Sequence, residues 1–321
     1  MRIFKGFENY QKINHPVVTI GTFDGVHKGH QKLLTEINEI AAAENGESLL
    51  LTFWPHPRFV VKNQAQSLKL LNTMEEKTKL LAHYGLDNLL ILPFTPEFSE
   101  LSPRAYVEKI LVAQINTKVL VVGHDHRFGK NRSGDFDSLA QMSPEFGFSL
   151  SKISAQDINK VAVSSTKVRK NLVSGNIKRA NAYLGHLYSL TAKVAHGQKI
   201  GRTIGFPTAN LQIDEDYKLI PAKGVYAVKV YAQNKWYNGM LNHGHKPTVS
   251  AAEEEAQLEV HLFDFQEDLY QQEIKVFFLS RIRSEEKFDT LEDLKAQLEK
   301  DRLAAKEVAA ENAKDGLKAI L

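Results

Sequence analysis

The sequence has no cysteine among its 321 residues. That excludes disulfides, thiol nucleophiles and thiolate metal sites together. Apolar residues make up 43% of the chain, yet no run of them approaches the roughly eighteen needed to span a bilayer, so no membrane partner is expected. No continuous apolar stretch follows Met1-Arg2-Ile3-Phe4-Lys5-Gly6, and a secretory signal is not expected. An excess of one charge is also missing: 41 Lys and Arg against 38 Asp and Glu leave a net charge of +3. This is too little to make nucleic acid the expected partner, while small anions held by local basic clusters remain compatible. A reducing, cytoplasmic location fits these absences. The length predicts two domains.

Up to about residue 185, β-rich runs alternate with helical ones. Strands are expected at 17–23, 48–54, 88–94, 118–123 and 148–153, and helices at 29–44, 73–84, 103–114, 165–173 and 176–184. Leu33, Leu34, Ile37 and Ile40 share one face of the first helix. Ser102 and Pro103 offer an N-cap and a first-turn proline to the third. This alternation predicts an α/β domain with a doubly wound parallel sheet, whose ligand sits beyond the carboxyl ends of the strands.

From about residue 187 short strands follow one another at 188–195, 225–231, 235–242, 256–263 and 273–282. That spacing predicts a small antiparallel barrel. A terminal helix is expected from about Leu291, with Thr290 and Asp293 as a capping pair and Leu291, Leu294 and Leu298 as its packing stripe. The alanine- and lysine-rich stretch 306–321 reads as a frayed tail. The expected domains are therefore 1–185 and 186–321.

The most informative stretch is Thr19-Ile20-Gly21-Thr22-Phe23-Asp24-Gly25-Val26-His27-Lys28-Gly29-His30. A β-branched run ends in a glycine-spaced turn that feeds a helix. Backbone N–H groups and the positive helix end can hold phosphate there. His27 and His30, with Gly29 between them keeping the approach open, can donate hydrogen bonds to a phosphoryl group as charge builds on it. A metal-binding pair and two surface histidines without a role are the other readings.

Thr52-Phe53-Trp54-Pro55-His56-Pro57 leaves the second strand, and Gly123-His124-Asp125-His126-Arg127-Phe128-Gly129-Lys130 leaves a later one. Ser164-Ser165-Thr166-Lys167-Val168-Arg169 opens a helix. Hydroxyls, free N–H groups and two cations suit a polyphosphate there, and an N-cap followed by solvated basic residues reads equally well.

The second half carries Gly197-Gln198-Lys199-Ile200-Gly201-Arg202-Thr203-Ile204-Gly205-Phe206-Pro207-Thr208-Ala209-Asn210-Leu211. Its glycines and Lys199 permit a basic loop to fold over phosphates. The Thr208 hydroxyl and the Asn210 carboxamide are neutral oxygen ligands suited to Mg²⁺; a plain loop with a Pro-Thr turn is the alternative. Farther on, strand alternation places Glu259 and His261 opposite Leu258, Val260 and Leu262. A carboxylate at a barrel mouth can accept the proton of an attacking hydroxyl, although a solvated strand face is the commoner fate of such a glutamate.

Together and in this order the segments resemble the bacterial bifunctional riboflavin kinase/FAD synthetase family. Gly21 to His30, Thr52 to Pro57 and Ser164 to Arg169 match motifs of its FMN adenylyltransferase domain, a member of the nucleotidyltransferase superfamily. The third motif has His126 where phenylalanine is usual. Gly197 to Leu211 is similar to the riboflavin kinase loop. Gly239-Met240-Leu241-Asn242-His243-Gly244-His245-Lys246-Pro247-Thr248 departs from the family pattern, with His243 in place of an apolar residue and Lys246 in place of arginine. The lysine loses arginine's bidentate fork.

The resemblance implies an ATP- and Mg²⁺-dependent enzyme that phosphorylates riboflavin to FMN with release of ADP, then adenylylates FMN to FAD with release of pyrophosphate. It implies His27, His30 and Glu259 as catalytic residues. It implies Gly21, Phe23, Asp24, Gly29, Ser164, Ser165, Thr166 and Arg169 around the ATP of adenylyl transfer, and Phe53, His56, Pro57, Asp125 and Phe128 around its flavin. Gly197, Lys199, Gly201, Gly205, Thr208 and Asn210 would surround the kinase ATP, with Thr208 and Asn210 at the metal. Adenylyl transfer alone beside an impaired kinase barrel, and a flavin-binding regulator without turnover, both stay open, as does self-association.

Overall fold

Strands buried on both faces of a parallel sheet are almost continuously apolar, and the N-terminal strands are of that kind. The computed structural model describes all residues except 62–67, 124–125, 154–162, 197–200, 202–203, 246–255 and 316. By internal contacts the chain divides into two units, Met1–Ser164 and Ser165–Leu321. In the first, β1 (Arg2–Lys5), β2 (Pro16–Ile20), β3 (Glu47–Trp54), β4 (Asn88–Pro93), β5 (Val119–Gly123) and β6 (Ser149–Ile153) form one sheet in the order β1-β4-β3-β2-β5-β6. Every pairing in it is parallel. The chain steps outward from β2 through β3 and β4 on one side, and through β5 and β6 on the other. The order reverses between β2 and β5, which opens a ligand crevice at their carboxyl ends.

The connecting helices are α1 (Lys28–Ala43), α2 (Pro57–Val61), α3 (Met74–His83), α4 (Pro96–Ser99), α5 (Pro103–Tyr106) and α6 (Phe136–Phe146). A π-helical segment, Val107–Gln114, continues α5. α1 packs on β2 and β3, burying Leu34, Ile37 and Ala41. Val18, Ile20, Leu49, Leu51, Leu120 and Val122 share a core with Tyr106, Leu111 and Leu139. The edge strand β1 and helix α6 come in addition to the expected elements. α6 contains Pro144, but the Asp135–Ser138 capping box was a readable start signal.

The second unit opens with α7 (Ser165–Val173) and α8 (Ile177–Leu184). Strands β7 (Ser189–Ala195), β8 (Ala209–Gln212), β9 (Gly224–Ala232), β10 (Lys235–His245), β11 (Ala256–Leu262) and β12 (Glu273–Arg283) follow, closed into a barrel in the order β10-β11-β8-β7-β12-β9. All its pairings are antiparallel. The short strand β8, hidden in sequence within a loop motif, bridges β7 and β11 and completes the closure.

α9 (Leu291–Asp315) ends the helical part. Leu291 is not part of its seam, being 57% exposed. The seam runs instead through Leu298, Ala305, Val308 and Ala309, with Asp301 set into it at 1% exposure. Asp301 accepts from Arg283 Nε at 2.9 Å and Nη2 at 2.8 Å, and from Gln297 at 2.9 Å. The chain beyond the helix is not frayed. Leu187 N–H donates to Lys318 O at 3.1 Å, Lys275 Nζ donates to Ile320 O at 2.7 Å, and Ile320 is buried. Apolar residues spaced among the lysines account for this docking.

Removing one partner of a buried ion pair leaves the other charge without compensation. Asp301→Ala is therefore expected to destabilise the second unit by about 3 kcal/mol. Urea unfolding followed by fluorescence checks this, and a midpoint equal to wild type contradicts it.

Candidate functional site

The first site is built on the turn that leaves β2. The sequence predicts strand through residue 23, but the strand ends at Ile20. Phe23 and Val26 take φ of 48° and 38°, beside Gly25 at 88°. A left-handed backbone is costly for a β-branched valine and persists only where the surroundings enforce it. Asp24, 4% exposed, accepts from Leu71 N–H at 2.9 Å and Asn72 N–H at 3.3 Å. The Gln31 amide donates to Val26 O at 2.7 Å.

His27 caps α1, its Nδ1 accepting from His30 N–H at 3.4 Å. With Nδ1 accepting, the ring N–H of His27 is assigned to Nε2. The His27 and His30 rings stack at 3.7 Å and 13°, and Phe23 stacks on His30 at 4.5 Å and 21°. His30 Nδ1 is buried and has no hydrogen-bond partner among the described residues. Burial first, then the charges of His27 and Lys77, holds the His30 pKa well below the ordinary histidine value. The ring is neutral at pH 7. A methyl on Gly29 would lie 3.3 Å from the His27 ring, and one on Gly21 would lie 3.1 Å from the Phe23 ring. Both glycines make room for the stack.

Lys77, which the sequence reading did not single out, reaches this turn from α3. It is 8% exposed, and its Nζ donates to Thr22 O at 3.2 Å and to Thr52 Oγ1 at 3.4 Å. Burial lowers its pKa to about 8, with Asp24 opposing the shift. The available signal was a cation at helical spacing from Leu80 and Leu81, on the buried face of α3. Asp24, Phe53, His56, Asn72 and Lys77 line a pocket of about 10 Å³, room for one water.

Of the flavin-side residues implied by the resemblance, Phe53 is buried against Phe94 and Phe98 at 5.4 and 5.3 Å. Phe128 is buried in the same core beside Tyr106 at 5.6 Å. His56 Nδ1 accepts from Arg58 N–H at 3.2 Å, and Pro57 begins α2. His126 stacks on Phe128 at 5.8 Å. Asp125 lies outside the described residues, as do Gly197, Lys199 and Lys246. Ser165 opens α7 in the second unit. Thr166 is exposed there, while Ser164 and Arg169 are half-buried.

The second site sits on the barrel strands β8 and β11, where Asn210 stands opposite Glu259. Thr208 Oγ1 donates to Glu259 Oε2 at 3.3 Å, and the Gln257 amide donates to Glu259 Oε1 at 2.7 Å and also to Asn210 Oδ1. Gln257 escaped the sequence reading because nothing in strand alternation marks a glutamine as a bridge. Burial raises the Glu259 carboxyl above its ordinary value, with the Thr208 hydroxyl opposing. Leu258, Val260 and Leu262 are buried, as expected for the opposite face.

His261 is also buried and does not join the Glu259 cluster. Its Nδ1–H donates to Pro207 O at 2.7 Å, between the rings of Phe206 and Phe263. Gly201 is required by a close approach, since a Cβ there would meet Phe206 O at 2.1 Å, and Gly205 takes φ of 84°. A pocket of about 520 Å³ beside the cluster is lined by Pro207, Thr208, Asn210, Val260, Asp268 and Tyr270 among others, a size suited to a small-molecule ligand.

Thr208 Oγ1 and Asn210 Oδ1, two hard oxygens hydrogen-bonded around the Glu259 carboxylate, fit Mg²⁺, which takes one or two protein oxygens and completes its shell with water and phosphate. Among the described residues no group of three or more His, Asp or Glu side chains could hold a metal by itself. His243 and His245 both find partners. His243, buried, donates from Nδ1 to Pro221 O at 2.8 Å, and burial pushes its pKa down. His245 pairs with Glu285 at 2.8 Å through both ring and backbone.

Comparison with known proteins matches residues 10–167 to the FAD synthetase family model and residues 184–309 to the riboflavin kinase family model. A Buchnera aphidicola protein named bifunctional riboflavin kinase/FMN adenylyltransferase is 38% identical over 306 residues, 94% of this chain and 96% of that protein. The Escherichia coli K12 protein of the same name is 37% identical over 310 residues, covering 96% and 97%. A Streptococcus pneumoniae crystal structure described as a macrolide-efflux protein matches with a TM-score of 0.84 at 30% identity, covering 95% of this chain and 99% of that one. Among the described residues no helix is long and apolar enough to cross a membrane.

The Glu259 cluster yields a direct check. Thr208→Val removes the hydroxyl that opposes burial, so the Glu259 pKa is expected to rise further, read by ¹³C NMR titration of carboxyl-labelled protein. A value that stays put or falls contradicts the hydrogen-bonded arrangement.

Proposed function

The chain belongs to the bifunctional riboflavin kinase/FMN adenylyltransferase family, and from that premise we propose how its own residues divide the two transfers. It is an enzyme that phosphorylates riboflavin to FMN and adenylylates FMN to FAD, using ATP for both. The readings with one activity or none, open on sequence, give way to this one.

In adenylyl transfer an FMN phosphate oxygen forms a bond to the α-phosphorus of ATP, the bond to the bridging oxygen breaks, and pyrophosphate leaves. The FMN phosphate is already anionic, so no base is required. The observation that carries the assignment is the stacked pair His27 and His30 at the start of α1, with His30 held neutral. Nε2–H of His27 and the His30 ring donate to the phosphoryl oxygens as charge accumulates, next to the positive helix end. Asp24 is committed to backbone N–H groups and shapes the turn. Phe53 and His56 face the pocket beside it.

In phosphorylation the 5′-hydroxyl oxygen of riboflavin bonds to the γ-phosphorus, and ADP leaves. Glu259 takes the hydroxyl proton, and its raised pKa makes it a better-matched base near neutrality. Thr208 and Asn210 would hold Mg²⁺, whose charge would neutralise the nucleotide phosphates. Gln257 orients both Asn210 and Glu259. We place the enzyme in the cytoplasm.

His30→Ala is expected to lower FAD formation from FMN on the order of 10²–10³-fold and to leave riboflavin phosphorylation intact. Asn210→Ala does the reverse. Chromatography of FMN and FAD formed by each variant checks this, and loss of both activities in a folded variant contradicts the division into two sites. Glu259→Gln should remove FMN formation while FAD formation from supplied FMN persists; retained phosphorylation would rule out Glu259 as the base.

A further inference from the structure

Lys77 is a charged side chain almost fully removed from water, a costly state unless its ammonium finds partners. Those partners are Thr22 O in the turn after β2 and Thr52 Oγ1 near the end of β3. One side chain from α3 thus ties the turn to the neighbouring strand. Asp24 makes the reciprocal tie, accepting from the backbone N–H groups of Leu71 and Asn72 in the segment that leads into α3. Between the two ties lies the left-handed Phe23, with the left-handed Val26 two residues beyond Asp24, and Phe23 is the ring against which His30 stacks. The titratable groups facing the ammonium are Asp24 from the turn, His30 from α1 and His56 from the chain after β3. Asp24 supplies the opposing charge.

We propose that Lys77 is a positioning residue for adenylyl transfer: its cation and the Asp24 carboxylate clamp turn 21–26 from both sides, and so hold His27 and His30 where the reacting phosphate meets them. This rests on placing adenylyl transfer at that turn. His30→Ala tests the placement, and Lys77 variants test the clamp.

Burial places the Lys77 pKa at about 8. The sign follows directly: the cation is present at neutral pH and is lost as pH rises through about 8. FAD formation by the full-length enzyme is expected to fall along an alkaline limb there, one that riboflavin phosphorylation by the same chain does not share. Lys77→Arg stays charged throughout and removes the limb, at reduced kcat because the pocket has room for about one water.

Lys77→Met, similar in length and uncharged, is expected to lose kcat for FAD formation on the order of 10²-fold, with the KM for ATP changed less than about threefold. A limb that persists in Lys77→Arg overturns the clamp, as does wild-type kcat in Lys77→Met. Should the methionine variant fail to fold, the arginine pH profile decides alone.

Discussion

A backbone turn with two non-glycine residues in the left-handed region does not hold itself, and the N-terminal site depends on what holds it from outside. Hydrogen bonds from α3 and from the segment before it meet the turn on both sides, through Lys77 and Asp24. Once the turn is held, Phe23 lies flat beneath His30, and His30 beneath His27. The stack leaves His30 half-buried, and desolvation holds its pKa down. A neutral donor at the positive end of α1 suits a phosphorus centre that gains charge only as the reaction proceeds, because what is stronger in the transition state than in the ground state accelerates the step.

The second unit solves a related problem with different materials. A closed barrel leaves no free edge, and the short strand that completes closure, β8, is also the one that presents Asn210 opposite Glu259. Barrel closure and the proposed kinase site share that strand. His261 adds a second fixing point by holding Pro207 O one residue before Thr208, and Gln257 ties Asn210 to Glu259. The arrangement keeps neutral oxygens and one partly desolvated carboxylate together, which suits the phosphoryl transfer proposed there, a reaction that rests on positioning and charge neutralisation.

Much of this was legible in the residues. The β-branched runs, Gly-rich turns and helix caps pointed to the alternating sheet and the barrel, and the motif order pointed to the family. The misses have physical causes. β8 is four residues long and gains strand form only from pairing with β7 and β11. Leu291 looked like part of the seam of α9, yet the seam is closed by Asp301, an acid that becomes a core residue only when Arg283 meets it. The tail after α9 docks through Leu317, Ala319 and Ile320, too sparse a pattern to read without the barrel surface that receives it.

By itself the sequence determined the parallel α/β sheet, the antiparallel barrel and the family, and it offered the His27–His30 turn with Thr208, Asn210 and Glu259 as the proposed sites. Those are local properties: periodicity, turn chemistry and residue type at fixed spacing. Tertiary structure alone decided that Asp24 bonds to backbone N–H groups, that Lys77 lies under the turn, that His30 is neutral, and that Gln257 and His261 brace the barrel site. Each of these depends on burial and on partners distant in the chain, and a residue's charge and reach are set by what surrounds it.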